Sequence, residues 1–460
     1  MICGVCNNRK MFTLLILADD LTGALDTGVQ FAKKGMATRV LLSPGFLADG
    51  ELSGGKTEHA EPAAILVINT DTRHCSIAEA RRIITACLEQ YQDVPYVYKK
   101  TDSTLRGNIG AELEALMTAR RIPQLPFVPA YPGLGRTTIA GHQLLKGVPI
   151  NKTDMAADAL NPIRHSFIPD IIGEESDVPV RLVQPQSTPP TPNPASQKKE
   201  ILVYDCETAA ELRDIARSLK AQGLLSVTSG CAGFAEFLME EIPFPQAEQT
   251  GAAQAKADSI NIPRLPLLIL SGSRHPVSLA QVQSALNSGI PGITVDGAKL
   301  LRPEWFSGEE AAALADNCAE TLKQQGVCIL GTAMAMGQIT ERTAAQGQEK
   351  WKTQKNQNGR TPVTCRQAPS GTAGVAGLLG KLLEVILPKT GPLHLVIFGG
   401  DTLLGIMEIL KFEYIIPIRE ISPGIVLARA EGKGGSSFIV TKSGAFGDAG
   451  MIETIRAYFA

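Results

Sequence analysis

Thr13-Leu14-Leu15-Ile16-Leu17-Ala18-Asp19-Asp20-Leu21-Thr22-Gly23-Ala24-Leu25 is the stretch that decides the fold. Its first half, Thr13 to Ala18, is an apolar run of strand length. Two aspartates then turn the chain into a helix, because Leu21, Ala24, Leu25, Gly28, Val29 and Ala32 fall on one helical face. A buried strand feeding through a short polar turn into an amphipathic helix is half of a βαβ unit, and it predicts α/β architecture.

The pattern recurs outward from there. Ile65 to Ile68 reads as a second buried strand. The helix after it opens on a capping box, Ser76-Ile77-Ala78-Glu79, and carries Ile83, Ile84, Cys87 and Leu88. Tyr96 to Lys99 leads through a polar apex into a helix with Ile109, Leu113, Leu116 and Met117. Phe127-Val128 runs out into Pro129-Ala130-Tyr131-Pro132-Gly133. Another strand and helix span Ile201 to Leu219. Later strands are expected at Leu267 to Leu270, Val327 to Leu330, Leu393 to Phe398 and Phe438 to Thr441.

Two stretches interrupt this rhythm. Val183 to Lys199, rich in proline, serine and threonine, reads as a solvated loop. Pro243 to Pro263 separates the halves. The expectation is two α/β domains with mainly parallel sheets, residues 11–245 and 262–460, and a ligand cleft between them. The polar segment Gln346 to Gly359 reads as a mobile loop, and no repeat of fixed period is present.

Composition agrees with that division, since 460 residues exceed one ordinary core. A formal net charge of -2, with no long run of one sign, argues against an electrostatic grip on nucleic acid or on an anionic membrane. No apolar run is long enough to span a bilayer. The nine cysteines are scattered and odd in number, which reads as reduced thiols rather than a disulfide framework. Cys3 and Cys6 form a Cys-x-x-Cys without the second ligand pair that zinc needs. The leader from Met1 to Lys10 lacks an apolar signal core, and Met11 is an alternative start, so the chain is expected to be cytoplasmic. Asn151-Lys152-Thr153 has the form of a glycosylation acceptor, which matters only after secretion.

In open α/β sheets, ligands bind at the carboxyl ends of strands. The polar clusters fall there. Asp19, Asp20, Thr22 and Asp26 surround the first strand–helix turn. Lys99, Lys100, Thr101, Asp102, Ser103, Thr104, Arg106, Gly107 and Asn108 crowd the third, and Arg136 follows a Pro-Gly-Leu-Gly turn. Cationic side chains can hold a carboxylate while the Asp, Asn, Ser and Thr side chains bind hydroxyls, which together suits a polyhydroxy acid. One such cluster alone is commonly no more than helix caps and turns.

The second half carries glycine-rich turns after buried strands: Ser271-Gly272-Ser273, Gly399-Gly400-Asp401-Thr402 and Thr441-Lys442-Ser443-Gly444-Ala445-Phe446-Gly447. Glycine lets backbone N–H groups approach phosphate, and a helix N-terminus adds favourable partial charge. Lys442 could add a point charge. Turns of this kind are common in α/β proteins, so none is diagnostic singly. A Walker loop is absent, since Val375 stands where the look-alike near Gly380-Lys381 needs glycine. There is no dinucleotide fingerprint, and the six histidines show no metal spacing.

Taken in order, these phrases resemble the four-carbon acid sugar kinase family. The likeness rests on Ala18-Asp19-Asp20-Leu21-Thr22-Gly23-Ala24, Lys100-Thr101-Asp102-Ser103-Thr104-Leu105-Arg106-Gly107-Asn108, Pro129-Ala130-Tyr131-Pro132 and the three glycine-rich turns, and it spans nearly the whole chain from Phe12. The resemblance implies an amino-terminal domain for the sugar acid and a carboxyl-terminal domain for ATP. It places Asp19, Asp20, Lys100, Asp102, Ser103 and Arg106 on the acid side, with Thr22 beside them. Ser271, Ser273, Gly399, Gly400, Asp401, Thr402 and Gly444 fall on the nucleotide side, with Lys442, Ser443 and Gly447 in the last turn. Asp158-Ala159-Leu160-Asn161-Pro162-Ile163-Arg164-His165-Ser166 leans towards the threonate branch, with erythronate and 3-oxo-tetronate as the other acids.

The implied reaction joins ATP, with Mg²⁺, to the C4 hydroxyl of the acid. Asp20 and Asp102 are both candidates to accept the hydroxyl proton. A sugar-acid dehydrogenase and a non-catalytic sugar-acid-binding protein are the alternatives. The first is weakened by the missing dinucleotide fingerprint, and the second by the glycine-rich second half. A homo-oligomer is left open.

Overall fold

The computed structural model describes residues 12–43, 63–153, 156, 161–184, 199–244, 262–273, 275–332, 375–433, 435–444 and 446–459. The leader with Cys3 and Cys6, residues 185–198 of the Pro/Ser/Thr-rich stretch, residues 245–261 and the Gln346 to Gly359 segment lie outside these residues. The chain divides into two units, Met1–Asp258 and Ser259–Ala460.

Unit one is built around β1 (Leu14–Ala18), every residue of which is buried. It leads through Asp19-Asp20 into α1 (Leu21–Ala32). The chain continues through β2 (Thr38–Leu41), β3 (Ile65–Asn69), α2 (Ile77–Gln90), β4 (Tyr96–Lys100), α3 (Ile109–Arg120) and β5 (Gln124–Val128). A small antiparallel sheet follows, β6 (Arg136–Ile139), β7 (His142–Leu145) and β8 (Val148–Pro149), then α4 (Ile168–Gly173), β9 (Val180–Val183), β10 (Glu200–Tyr204), α5 (Ala209–Ala221), β11 (Val227–Gly230) and α6 (Ala232–Glu241). The main strands run in the order β2-β3-β1-β4-β11-β5-β10-β9. All of their pairings are parallel. Strands covered on both faces lose the apolar–polar alternation, which explains the continuous hydrophobic runs in the sequence.

Unit two holds β12 (Leu267–Ser271), α7 (Pro276–Asn287), β13 (Gly292–Val295), α8 (Gly297–Leu300), α9 (Glu309–Gln325), β14 (Val327–Thr332), α10 (Val375–Thr390), β15 (His394–Phe398) and α11 (Gly400–Ile409). It ends with β16 (Phe412–Ser422), β17 (Ile425–Gly432), β18 (Gly435–Lys442) and α12 (Met451–Tyr458). Its strand order is β13-β14-β12-β15-β18-β17-β16. The first four strands of each unit, taken in chain order, therefore line up the same way: second, third, first, fourth. In both, the chain crosses over the first strand on its way from the third to the fourth. That crossing leaves a crevice at the carboxyl edge, where ligands of open α/β sheets bind.

Several details depart from the sequence reading. Only half of the capping box at Ser76 forms. The Ser76 hydroxyl accepts from Glu79 N at 3.3 Å, but the Glu79 carboxylate turns to Arg82. A guanidinium fork outcompetes a neutral N–H for an exposed carboxylate. A complete box stands at Thr208 and Glu211 instead. Val183 ends β9 and is buried, so it belongs to the sheet and not to a solvated loop. The antiparallel strands β16 and β17 were not foreseen; Pro423-Gly424 joins them, with Gly424 at φ 74. Cys75 is disulfide-bonded, against the expectation of reduced thiols, while Cys87, Cys206, Cys231, Cys318 and Cys328 are free. A parity and spacing count weighs frameworks and is blind to a single bond. Among the described residues no helix is long and apolar enough to cross a membrane.

Candidate functional site

The carboxyl edge of unit one is level across its central strands, since Ala18 pairs with both Asn69 and Lys100. The loops after β1, β3 and β4 therefore emerge side by side, and Arg73, from the β3 loop, ties them together. Its Nε donates to Asp19 Oδ2 at 2.7 Å and its Nη1 to Asp20 Oδ2 at 2.9 Å, while Nη2 lies 3.6 Å from Asp102 Oδ1. Asp20 is also the N-cap of α1: its Oδ1 accepts from Gly23 N at 2.9 Å and its Oδ2 from Thr22 Oγ1 at 2.7 Å.

Asp102 is gripped by its own loop. Arg106 donates through Nε at 2.8 Å and Nη2 at 3.2 Å, and Thr104 Oγ1 through a 2.5 Å bond. Arg106 is thus paired with Asp102. The Ser103 carbonyl is held at 3.0 Å by buried Gln143, which reaches from β7.

Lys99 and Lys100 alternate across the strand. Lys99 is not at the site: it is fully buried in an ion pair with Glu112 at 2.9 Å, and Glu112 also takes the Thr72 hydroxyl. Lys100 lies on the Asp20 side. Its Nζ would stand 2.6 Å from a Cβ added to Gly23, so only glycine lets α1 start so close. The residue is 4% exposed, and its ammonium forms neither a hydrogen bond nor an ion pair with any described residue. Arg136 is buried and donates to Leu134 O at 2.9 Å, holding the Pro132–Gly135 turn.

Charge decides the ionisation here. Burial pushes the Asp20 carboxyl up, but Arg73 and Lys100 outweigh it and leave the group below its usual value. For Asp102 burial is again the largest influence, and Arg106 and Arg73 with two hydrogen bonds hold it well below the carboxylate range. Both are anions at neutral pH. Beside Arg106 opens a cavity of about 230 Å³ lined by Leu105, Gly107, Asn161, Pro162, Ile163, Arg164, His165, Ile171, Glu174 and Glu175. Asn161 to His165 of the stretch leaning to the threonate branch thus form one wall; Asp158 to Leu160 lie outside the described residues.

In unit two, Ser271 pairs with Phe398 and Phe398 with Lys442, so three glycine-rich turns leave the sheet at one level. A Cβ on Gly272 would stand 2.3 Å from Thr402 Oγ1, a contact that only glycine permits. One on Gly444 would meet His275 at 3.1 Å and Ser273 Oγ at 3.3 Å. Gly399, at φ 103, is the N-cap of α11 and offers no side chain to the first N–H groups. Ser271 Oγ is buried and unbonded among the described residues. Asp401 is exposed in that first turn. Ser443 and Gly444 continue from β18, and Gly447 turns at φ 81. Lys442 does not present its charge. It is fully buried and donates to Ser278 Oγ at 3.1 Å, Ser443 O at 2.9 Å and Gly444 O at 3.2 Å.

The structure thus clusters Asp19, Asp20, Thr22, Lys100, Asp102, Ser103 and Arg106 in unit one. In unit two it clusters Ser271, Ser273, Gly399 to Thr402, Ser443 and Gly444. Sequence reasoning missed Arg73, Gln143 and Ser278. Arg73 was findable, because Thr70-Asp71-Thr72-Arg73 follows a strand just as the other clusters do.

An uncapped helix start ringed by hydroxyls and glycines suits phosphate, and a balanced set of three aspartates and three cations suits a polar acid. Family comparison divides the chain in the same sense. Residues 14–238 match the family model described as a sugar-binding N-terminal domain, and residues 268–452 a nucleotide-binding C-terminal domain. A D-threonate kinase of Salmonella typhimurium is 32% identical over 70% of this chain and 71% of its own length. A D-erythronate kinase of Heliobacterium modesticaldum is 26% identical over 95% of each chain. Among solved structures, a Salmonella typhimurium LT2 protein shares the fold, with a TM-score of 0.70 at 21% identity over 97% of this chain and 99% of that one.

A sugar-binding domain followed by a nucleotide-binding domain defines a carbohydrate phosphotransferase. The chain belongs to the four-carbon acid sugar kinase family. It is a kinase with an alcohol group as acceptor, which sets aside the dehydrogenase and the non-catalytic binder.

Proposed function

We propose that the chain transfers the γ-phosphoryl group of ATP to the C4 hydroxyl of D-threonate. The observation that carries the reading is the Arg73 hub, which ties Asp19, Asp20 and Asp102 together, with the Lys100 ammonium beside Asp20. The name of the 32% identical Salmonella relative and the Asn161 to His165 wall of the cavity favour threonate within the family.

In this reading Lys100 takes the substrate carboxylate, because its charge is the one not already committed to a hydrogen bond. Arg106 shares the carboxylate by turning part of its fork from Asp102. Asp20 accepts the C4 proton. Its side chain is 22% exposed against 11% for Asp102, so it is the more accessible of the two carboxylates. Backbone N–H groups at the start of α11 and at Gly444 hold the phosphates.

Phosphoryl transfer rests mainly on positioning and charge neutralisation. Mg²⁺ supplies part of that neutralisation when bound. Among the described residues no group of three His, Cys, Asp or Glu could hold a metal alone. Asp401, exposed in the first turn of α11, would be the carboxylate beside an ion held largely by the nucleotide's own phosphates.

The test is an ADP-release assay over D- and L-threonate, D- and L-erythronate, the 3-oxo-tetronates and threitol. D-Threonate should give the highest kcat/KM, and threitol should be poor. Arg106→Lys should raise KM for threonate with KM for ATP nearly unchanged, and should narrow the gap to threitol. An equal fall for acid and polyol would mean that Arg106 serves Asp102 alone.

A further inference from the structure

Lys442 is the last residue of β18, and it is 0% exposed. Its ammonium lies 4.8 Å from the centre of the Phe398 ring and makes three hydrogen bonds, to the Ser278 hydroxyl and to the carbonyls of Ser443 and Gly444. Ser278 itself donates to Gly444 O at 3.1 Å, so two groups draw that carbonyl inward. Among the described residues no carboxylate pairs with the charge. Titratable groups on the described segments around this turn include His275, Asp448 and Glu420, whose Oε1 accepts from Gly424 N at 3.3 Å. His275 Nδ1 accepts from Val277 N as the N-cap of α7, and Asp448 Oδ1 accepts from Gly450 N. None of these groups is hydrogen-bonded or ion-paired to the ammonium.

A trans peptide is planar, so its C=O and N–H point opposite ways. With the Ser443 carbonyl on Lys442, the Gly444 N–H faces away from it, and no described residue takes that N–H. The ammonium therefore sits behind the turn and the donor in front of it. We propose that Lys442 is a positioning residue and a concealed countercharge for the nucleotide. It holds the Ser443 and Gly444 carbonyls inward and takes a proton from solvent when phosphate binds on the other side of the turn. The inference rests on unit two binding ATP.

The chemistry follows from burial among neutral acceptors, with no anion of a described residue beside the charge. An ammonium removed from water with no anion beside it resists protonation, and burial pulls Lys442 down to about 7. Phosphate charge arriving across one peptide restores the missing anion and favours the protonated amine. Linkage then requires binding to weaken as the amine loses its proton.

Titration calorimetry of the full chain with Mg²⁺-saturated ATP at pH 8, in two buffers of different ionisation enthalpy, measures the proton directly. The parent should take up about half a proton or more per ATP. Lys442→Met should take up none, and Lys442→Arg, permanently charged, should bind ATP without uptake. The parent's affinity should fall about tenfold from pH 7 to pH 9. That series needs no variant and decides the matter even if both substitutions unfold the chain. Equal uptake in parent and Lys442→Met, or a parent whose affinity ignores pH, overturns the inference while leaving ATP binding intact. No ATP heat at any pH would remove the nucleotide reading and this inference with it.

Discussion

Arg73 governs the acid side at the scale of single residues. It is 11% exposed and faces three carboxylates, so its loss leaves buried anions without their common partner. Breaking buried pairs in this way typically costs about 3–5 kcal/mol. Asp20 and Asp102 titrate below their ordinary 3.8 in the folded chain. Between the folded and unfolded values the unfolded chain binds more protons, so their contribution is complete above the unfolded value and disappears as pH falls through the folded one. Urea unfolding from pH 7 to pH 3 should therefore show this loss only below about pH 4 in the parent. Arg73→Met should be less stable at neutral pH, and its loss on acidification should be smaller than the parent's, because the folded values of Asp20 and Asp102 rise towards the unfolded one. Coincident acid limbs would contradict the hub. Kinetically, Asp20→Asn should lower kcat by about 10²–10⁴-fold, whereas Asp102→Asn should act mainly on KM for the acid; the reverse pattern would make Asp102 the proton acceptor. The acidic residues of this site were legible in the sequence because they abut an unmistakable strand. Arg73 stands at an equally legible strand end, but its role as the hub depends on β3 lying next to β1, which no local pattern announces.

Elements show the same division. The buried parallel strands were readable because nothing but a covered sheet tolerates such apolar runs. The β16–β17 hairpin and the small β6–β8 sheet were hidden by mixed burial, in which polar residues alternate irregularly with apolar ones. Lys99 illustrates the limit within one element. Its neighbour Lys100 is a site residue, yet alternation across β4 sends Lys99 into a buried pair with Glu112. In unit two, the start of α11 depends on Gly272 passing Thr402 closely. Gly272→Ala must move Thr402 or the turn. The loss of one charge-assisted contact, about 1.5–3 kcal/mol, should raise KM for ATP by about tenfold or more while KM for the acid changes little. Equal changes in both constants would show that the glycine serves packing alone.

The two units share the order of their first four strands without repeating the sequence. Each unit opens a crevice at the carboxyl edge, and each crevice is furnished differently, with aspartates and cations in one and glycines and hydroxyls in the other. That difference in furnishing is the physical basis for giving the acid to the first unit and ATP to the second. The account predicts a single chemical outcome, which phosphorus NMR of a reaction containing the chain, Mg²⁺, ATP and D-threonate reads directly. A phosphate ester on C4 couples to the two protons of that methylene, so the product signal should be a triplet growing in step with ADP. A doublet, which marks an ester at C2 or C3, or free phosphate with no ester at all, would contradict the account.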